Sequence, residues 1–207
     1  MGFFKDFYNQ TEKPEGKLGK WMIRLMNSGH KKMAKWGMSH LGGIAPEQIA
    51  ELGCGGGLNI RALLKKYPGA KVNAIDYSPL SVEMATEYNK GAIKKDRCTV
   101  EKGDVSALEL PKDSYDLATA FETIYFWPGR EECFSQVAGV LKDGGSFMIV
   151  NESDGCDKAG KKFEKIIDGM TCYTADDIIN ALRAAGFKRI EADHHHRKPW
   201  ITVIAKK

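Results

Sequence analysis

Apolar residues recur at two different periods along this chain, and the changes of period mark its elements. Leu18, Trp21, Met22, Leu25, Met26, Met33, Trp36 and Leu41 fall at helical spacing, which predicts helix over 18–41 with a break near Asn27, Ser28 and Gly29. Ahead of them, residues 1–16 are amphipathic and then polar, punctuated by Pro14 and Gly16. Gly42, Gly43 and Pro46 separate this region from 49–52, an apolar run with the length of a buried strand. Strand patterns follow at 71–76, 98–105, 115–121 and 146–150, with helices over 58–66 and 131–141 and a turn at 142–145. The tail reads as a helix over 175–185, a Gly186 cap, and two strands near 187–193 and 200–205. Strands alternating with helices predict an α/β fold with a parallel sheet. Residues 1–45 are expected to form a helical cap and 46–207 the core.

The most chemically specific stretch is Glu51-Leu52-Gly53-Cys54-Gly55-Gly56-Gly57, where the first strand breaks into a glycine-rich turn that opens a helix. Glycines there let backbone approach a ligand closely, and the helix start offers free N–H groups to an anionic one. A dinucleotide fingerprint requires a third glycine where this chain has Leu58. Asp76 lies 23 residues beyond Gly53, the offset at which a carboxylate can accept from both ribose hydroxyls. The third strand closes on Gly103-Asp104-Val105. Each Asp alone could be a turn or helix cap; three acidic strand ends in order after a glycine loop are hard to ascribe to chance.

The pattern E-x-G-x-G-x-G, followed by Asp76, Gly103-Asp104 and the run Leu141-Lys-Asp-Gly-Gly-Ser-Phe147, resembles the class I S-adenosylmethionine (SAM) methyltransferases over residues 49–150. Asp143 stands where proline is common in that family. Met26-Asn27-x-x-His30, Trp36-Gly37, the segment 121–127 and Val150-Asn-Glu152 narrow the likeness to a bacterial group of small, mostly uncharacterised members. The resemblance implies a Rossmann-like, doubly wound, seven-stranded sheet with an antiparallel last strand and an N-terminal helical cap. It implies SAM as cofactor and S-adenosylhomocysteine as product, bound by Glu51, Gly53, Gly55, Asp76, Tyr77, Asp104, Val105 and Phe121. In this reading Asp104 accepts from the adenine amine and the Val105 N–H faces the ring. Methyl transfer by in-line attack needs alignment above all, and a general base only for an acceptor that arrives protonated.

Candidates for the acceptor side follow from position, since doubly wound folds bind ligands at the carboxyl ends of their strands. Glu122 and Tyr125, after the fourth strand, are the expected catalytic residues: Glu122 as a base or a cation contact, Tyr125 (with Trp127) stacking on the acceptor. Asn151 and Glu152 end the fifth strand within reach. His30 reads as a hydrogen-bonded structural histidine, with a substrate contact as its alternative. His194–His196 reads as a solvent-facing hairpin flank, because a structural zinc site needs more ligands than one strand face offers. No metal is expected. Cys156 and Cys172 read as scattered structural thiols.

Composition bounds the rest. A length of 207 residues with 43% hydrophobic and 28% charged residues is ordinary for one globular domain. No run approaches the ~20 apolar residues that span a bilayer, and the first residues lack the layout of a secretory signal. Five cysteines without framework spacing favour free thiols and a cytoplasmic setting. The net charge of +4 is spread over solvated lysine clusters without an aromatic-and-basic stripe, so no nucleic-acid partner is expected. The expected partner is a small-molecule acceptor, and the expected state a monomer or homodimer. Two other readings stay open from sequence: a nucleotide-dependent oxidoreductase, and a non-catalytic SAM-binding or partner-binding protein.

Overall fold

The computed structural model of the protein describes Thr11 and residues 14–207, so the pattern read over residues 1–16 falls almost wholly outside the described residues. Seven strands form one sheet: β1 (Gln48–Leu52), β2 (Lys71–Asp76), β3 (Cys98–Lys102), β4 (Tyr115–Phe121), β5 (Leu141–Asn151), β6 (Arg189–His194) and β7 (Ile201–Lys206). Their order is β3-β2-β1-β4-β5-β7-β6, with β1 to β5 parallel and β7 antiparallel to both β5 and β6. The helices are α1 (Gly16–Gly29), α2 (Lys31–Ser39), α3 (Leu58–Lys66), α4 (Pro79–Ile93), α5 (Arg130–Val140), α6 (Lys158–Phe163) and α7 (Ala175–Ala184).

Side-chain alternation along the central strands splits the core into two layers. Ala50, Leu52, Ala118, Ala120, Phe147 and Ile149 face α5 and α7, packing on Phe134, Val137, Ile178 and Leu182. Ile49, Leu117, Phe121, Met148 and Val150 face α2 and α3, against Met33, Met38, Ile60 and Leu63. Burial on both faces is why β1 and β4 read as continuous apolar runs rather than alternating ones. Trp127 belongs to the first layer: it is 8% exposed and its ring stacks on Phe147 with centroids 6.2 Å apart. It is therefore a core residue and not an acceptor contact.

The N-terminal helical stretch breaks at His30, next to Gly29 as the sequence suggests: α1 runs through Gly29 and His30 caps it with its N–H on the Met26 carbonyl at 2.9 Å. Three other local readings differ from the structure. Residues 142–145 lie inside β5 as an irregularity: Leu141 pairs with Tyr115, and the next pairing is Ser146 with Leu117. Gly144, at φ +78°, lets the chain loop out there without leaving the ladder. The third strand ends at Lys102, and Asp104 caps a 3₁₀ turn over Val105–Ala107. The hairpin histidines are not all solvent-facing: the His195 ring meets Trp36 and Trp200 edge-on at 5.4 and 4.8 Å, docking the β6–β7 connection on α2. His40 Nε2, 2.8 Å from Asp193 Oδ2, ties the residue that caps α2 to β6.

Sequence pattern did not mark α4, although Ser78 accepting from the Ser81 N–H with Pro79 in the first turn is a helix-start signal. At Gly37 of α2 the helix packs so closely on the sheet that a Cβ would lie 2.4 Å from Val150 Cγ2. Gly37→Ala should therefore destabilise the fold by about 1–3 kcal/mol through overpacking. Gly29→Ala, with open space around its Cβ position, should not lower stability, and urea denaturation of both variants checks the contrast.

Candidate active site

β1 and β4 are neighbours in the sheet, and the chain leaves their carboxyl ends toward opposite faces, which makes a crevice at that edge. The glycine loop, residues 53–57, fills the β1 side of it. Gly53 adopts φ +77°, and a Cβ there would stand 2.4 Å from Thr123 Cγ2, so only glycine fits. At Gly56 a Cβ would meet Asn27 Nδ2 at 2.3 Å and Ile23 Cγ2 at 2.6 Å, which measures how closely α1 lies over the loop. Gly55 has nothing within 4 Å of its Cβ position.

Hydrogen bonds hold the loop from β2 and α4. The Gly53 and Cys54 N–H groups donate to the Ile75 carbonyl at 2.9 and 3.0 Å. Asp76 accepts from the Gly55 N–H at 2.7 Å through Oδ2 and from the Ser78 N–H at 2.9 Å through Oδ1. Burial pushes the Asp76 carboxyl up, while the bonds from Ser78, Gly55 and Ser81 pull it down. Asn89 donates to the Gly57 carbonyl at 3.0 Å.

A cavity of about 640 Å³ opens beside the loop. Gly53, Gly55, Asp76, Leu58 and Met22 line it from the loop and its surroundings. His30, Glu122, Phe126, Glu152, Phe163, Met170 and Trp200 line it from α1–α2, the ends of β4 and β5, and the later segments. Among the polar and charged side chains that line it, which include Asp157 and Lys198, three converge. His30 Nε2 lies 3.8 Å from Glu122 Oε2 and 3.6 Å from Glu152 Oε2. Glu122 sits at φ +60°, an uncommon conformation for a residue with a Cβ, with its N–H donating to the Val150 carbonyl at 3.0 Å. Its Oε1 accepts from the Tyr125 hydroxyl at 3.1 Å and from the Glu152 N–H. Burial pushes the Glu122 carboxyl up; the His30 charge and these two bonds pull it down, and Glu152 pushes it up.

The structure brings together Gly53, Gly55, Asp76, Phe121, Glu122 and Tyr125 on one cavity wall. It does not bring Glu51, Tyr77, Asp104 or Val105 to it. Glu51 is fully buried and turned toward Thr119, whose hydroxyl bonds its Oε2, while its Oε1 has no partner among the described residues. It lies within the sheet layer below the loop, not on the wall. Tyr77 and Asp104 are exposed, and Asp104 Oδ1 takes both the Ser106 N–H and hydroxyl bonds. Tyr125 is 3% exposed, so its ring does not stack on a ligand; its hydroxyl holds Glu122 and accepts from the Ser153 N–H at 3.1 Å. His30, read first as a structural histidine, faces the cavity. Sequence reasoning missed Phe163, Ile167 and Met170, whose spacing of four and three residues after the Asp157 cap is the signal that would have found them.

A family model described as a methyltransferase domain matches residues 50–149. The uncharacterised methyltransferase YdaC of Bacillus subtilis is 23% identical over 87% of this chain and 93% of its own length. A sterol 24-C-methyltransferase of Gibberella zeae is 26% identical over 76% of this chain, and the match covers 43% of that longer relative. Among solved structures, a chain from the Haloferax volcanii complex of the Trm112 methyltransferase activator with a methyltransferase superposes with a TM-score of 0.79 at 18% identity, covering 99% of this chain and 97% of that one. The chain carries the class I SAM-dependent methyltransferase fold, with its mixed seven-stranded sheet and preceding helices. The segment matched by that model runs from within β1 to Ile149 near the end of β5.

The residues present fit SAM, the cofactor this fold implies. Gly55 leaves a cradle that a Cβ would fill, Asp76 presents a carboxylate from the end of β2, and α1 closes over the loop.

Burial pushes the Glu51 carboxyl up to about 8, with the Thr119 bond pulling it down and the Asp76 charge pushing it further up. Between pH 4.5 and about 8 the folded protein holds a proton there that the unfolded chain has released. The native state then binds more protons, so stability falls as pH rises through that window. Glu51→Gln removes this loss. Its urea midpoint should match the wild type near pH 5 and exceed it increasingly toward pH 8.5; a constant offset would show that Glu51 does not titrate there.

Proposed function

We propose that this chain transfers the methyl group of SAM to a small molecule with an apolar body and a polar head facing Glu122. The observation that carries the reading is one cavity shared by the glycine loop and the His30–Glu122–Glu152 group. Bound SAM would supply a methyl group on a sulfonium, ready for in-line attack. Gly53 and Gly55 would admit it against the loop backbone, Asp76 would accept from its ribose hydroxyls, and Phe121 would line the site. Tyr77, Asp104 and Val105 lie outside that cavity, after the ends of β2 and β3, and would meet the adenine only where it extends beyond the cavity along that edge. Glu51 would serve the site from below, by supporting the loop.

On the acceptor side, α1 and the 163–170 segment exclude water with Met22, Phe163 and Met170. Glu122 presents Oε2 to the acceptor while Tyr125 fixes Oε1, which makes Tyr125 a positioning residue. Alignment at near-attack distance supplies most of the rate. In this reading the helical cap ends at residue 45, its described part being α1 and α2, and residues 46–207 would form the core. Among the described residues no helix is long and apolar enough to cross a membrane. Five free cysteines support a cytoplasmic setting, and the proposed state is a monomer or homodimer.

Two experiments test this. Incubation with methyl-labelled SAM and a small-molecule extract should move label into low-mass products; label confined to protein or RNA would overturn the acceptor class. Asp76→Asn should weaken S-adenosylhomocysteine binding about 10- to 100-fold, the worth of a charge-assisted hydrogen bond pair. Glu122→Gln should leave that affinity within about twofold and lower turnover about tenfold or more. Unchanged affinity in Asp76→Asn would refute the ribose assignment.

A further inference from the structure

The His30, Glu122 and Glu152 side chains converge without bonding one another. Their ligand-capable atoms all lie within 4.8 Å of each other, yet His30 Nε2 stands 3.8 and 3.6 Å from the two carboxylates, beyond hydrogen-bond range. Three groups held this way turn their ligand-capable atoms toward one another. They are placed by three separate elements: the α1–α2 joint, the end of β4 and the end of β5.

The two carboxylates repel each other. Glu122 is also committed in orientation. Tyr125 and the Glu152 N–H hold its Oε1, which leaves Oε2 as its free donor atom. The uncommon backbone of Glu122 at φ +60° is maintained so that its side chain points here. Such oriented, like-charged carboxylates beside an imidazole are what a cation needs and what a neutral acceptor does not.

We propose that His30, Glu122 and Glu152 bind one divalent first-row transition ion, such as Mn²⁺ or Zn²⁺. One imidazole nitrogen and two carboxylate oxygens form a mixed donor set, whereas Mg²⁺ and Ca²⁺ prefer oxygen alone. Ligands at about 2.0–2.2 Å from an ion stand roughly 3–3.5 Å from each other, so small side-chain movements close the set. Three protein ligands leave coordination positions open toward the cavity. The acceptor class is then a molecule that offers an oxygen to the ion, a hydroxyl or carboxylate, with its apolar body against Phe163 and Met170. This deepens the acceptor-side reading above and rests on it for the acceptor, but not for the ion.

The test is titration of the full chain with Mn²⁺ alone, followed by its electron spin resonance signal. It is run in a His194→Ala/His196→Ala background, because those exposed histidines could take an ion themselves. One ion per chain should bind, and both Glu152→Gln and His30→Asn should weaken it by about tenfold or more. S-Adenosylhomocysteine affinity, measured in the same samples by calorimetry, should stay unchanged in Glu152→Gln, showing that the variant is folded. Absence of Mn²⁺ and Zn²⁺ binding in protein that binds S-adenosylhomocysteine would overturn the proposal. So would binding insensitive to both substitutions. Binding of Mn²⁺ lost in both variants, in protein that binds no adenosyl ligand, would keep the ion site and overturn the methyltransferase reading instead.

Discussion

Everything at the site depends on how closely other elements approach residues 53–57. Thr123 from the β4 side, Ile23 and Asn27 from α1, and Asn89 from α4 each come to where a Cβ would otherwise stand. Asp76 and the Ile75 carbonyl then bind the loop to β2. With side chains at Gly53, Gly56 or Gly57 these partners would be pushed back, and the crevice between β1 and β4 would lose its wall. At Gly55 the Asp76 carboxylate holds the N–H, while the side where a Cβ would stand is open space that a ligand can enter.

The same edge of the sheet carries buried acids that cost stability. Glu51 is buried beneath the loop with one oxygen unpartnered, and burial raises its proton affinity. Glu122 combines burial with a left-handed backbone and a like-charged neighbour. Neither arrangement improves the core, and apolar residues would pack there at lower cost. Their position, grouped at the carboxyl edge rather than scattered, links them to what the cavity holds. Asp76 differs, since two backbone N–H partners offset part of its burial.

Much of the scaffold was legible in the sequence because local patterns agree with the packed result. The 58–66 helix and the strands at 71–76 and 115–121 fall where their periodicity places them. The closing hairpin also appears, with β7 antiparallel as the family resemblance implied. What pattern alone could not show was direction. Glu51 ends the first strand as the motif suggests, but strand alternation turns it to Thr119 and away from the cavity. Tyr125 and Trp127 follow β4 as expected, yet a 3₁₀ turn over Ile124–Phe126 sends Trp127 into the core and spends the Tyr125 hydroxyl on Glu122. His30 was ambiguous because its partners, Glu122 and Glu152, are about a hundred residues away and meet it only across the fold.

The central claim is that the loop and Asp76 form an adenosyl site and not a dinucleotide one. Parallel calorimetric titrations of the wild-type chain with S-adenosylhomocysteine and with NADH test it most directly. The account predicts micromolar binding of S-adenosylhomocysteine and none of NADH. Binding of NADH without S-adenosylhomocysteine would contradict it and make the cavity a redox site.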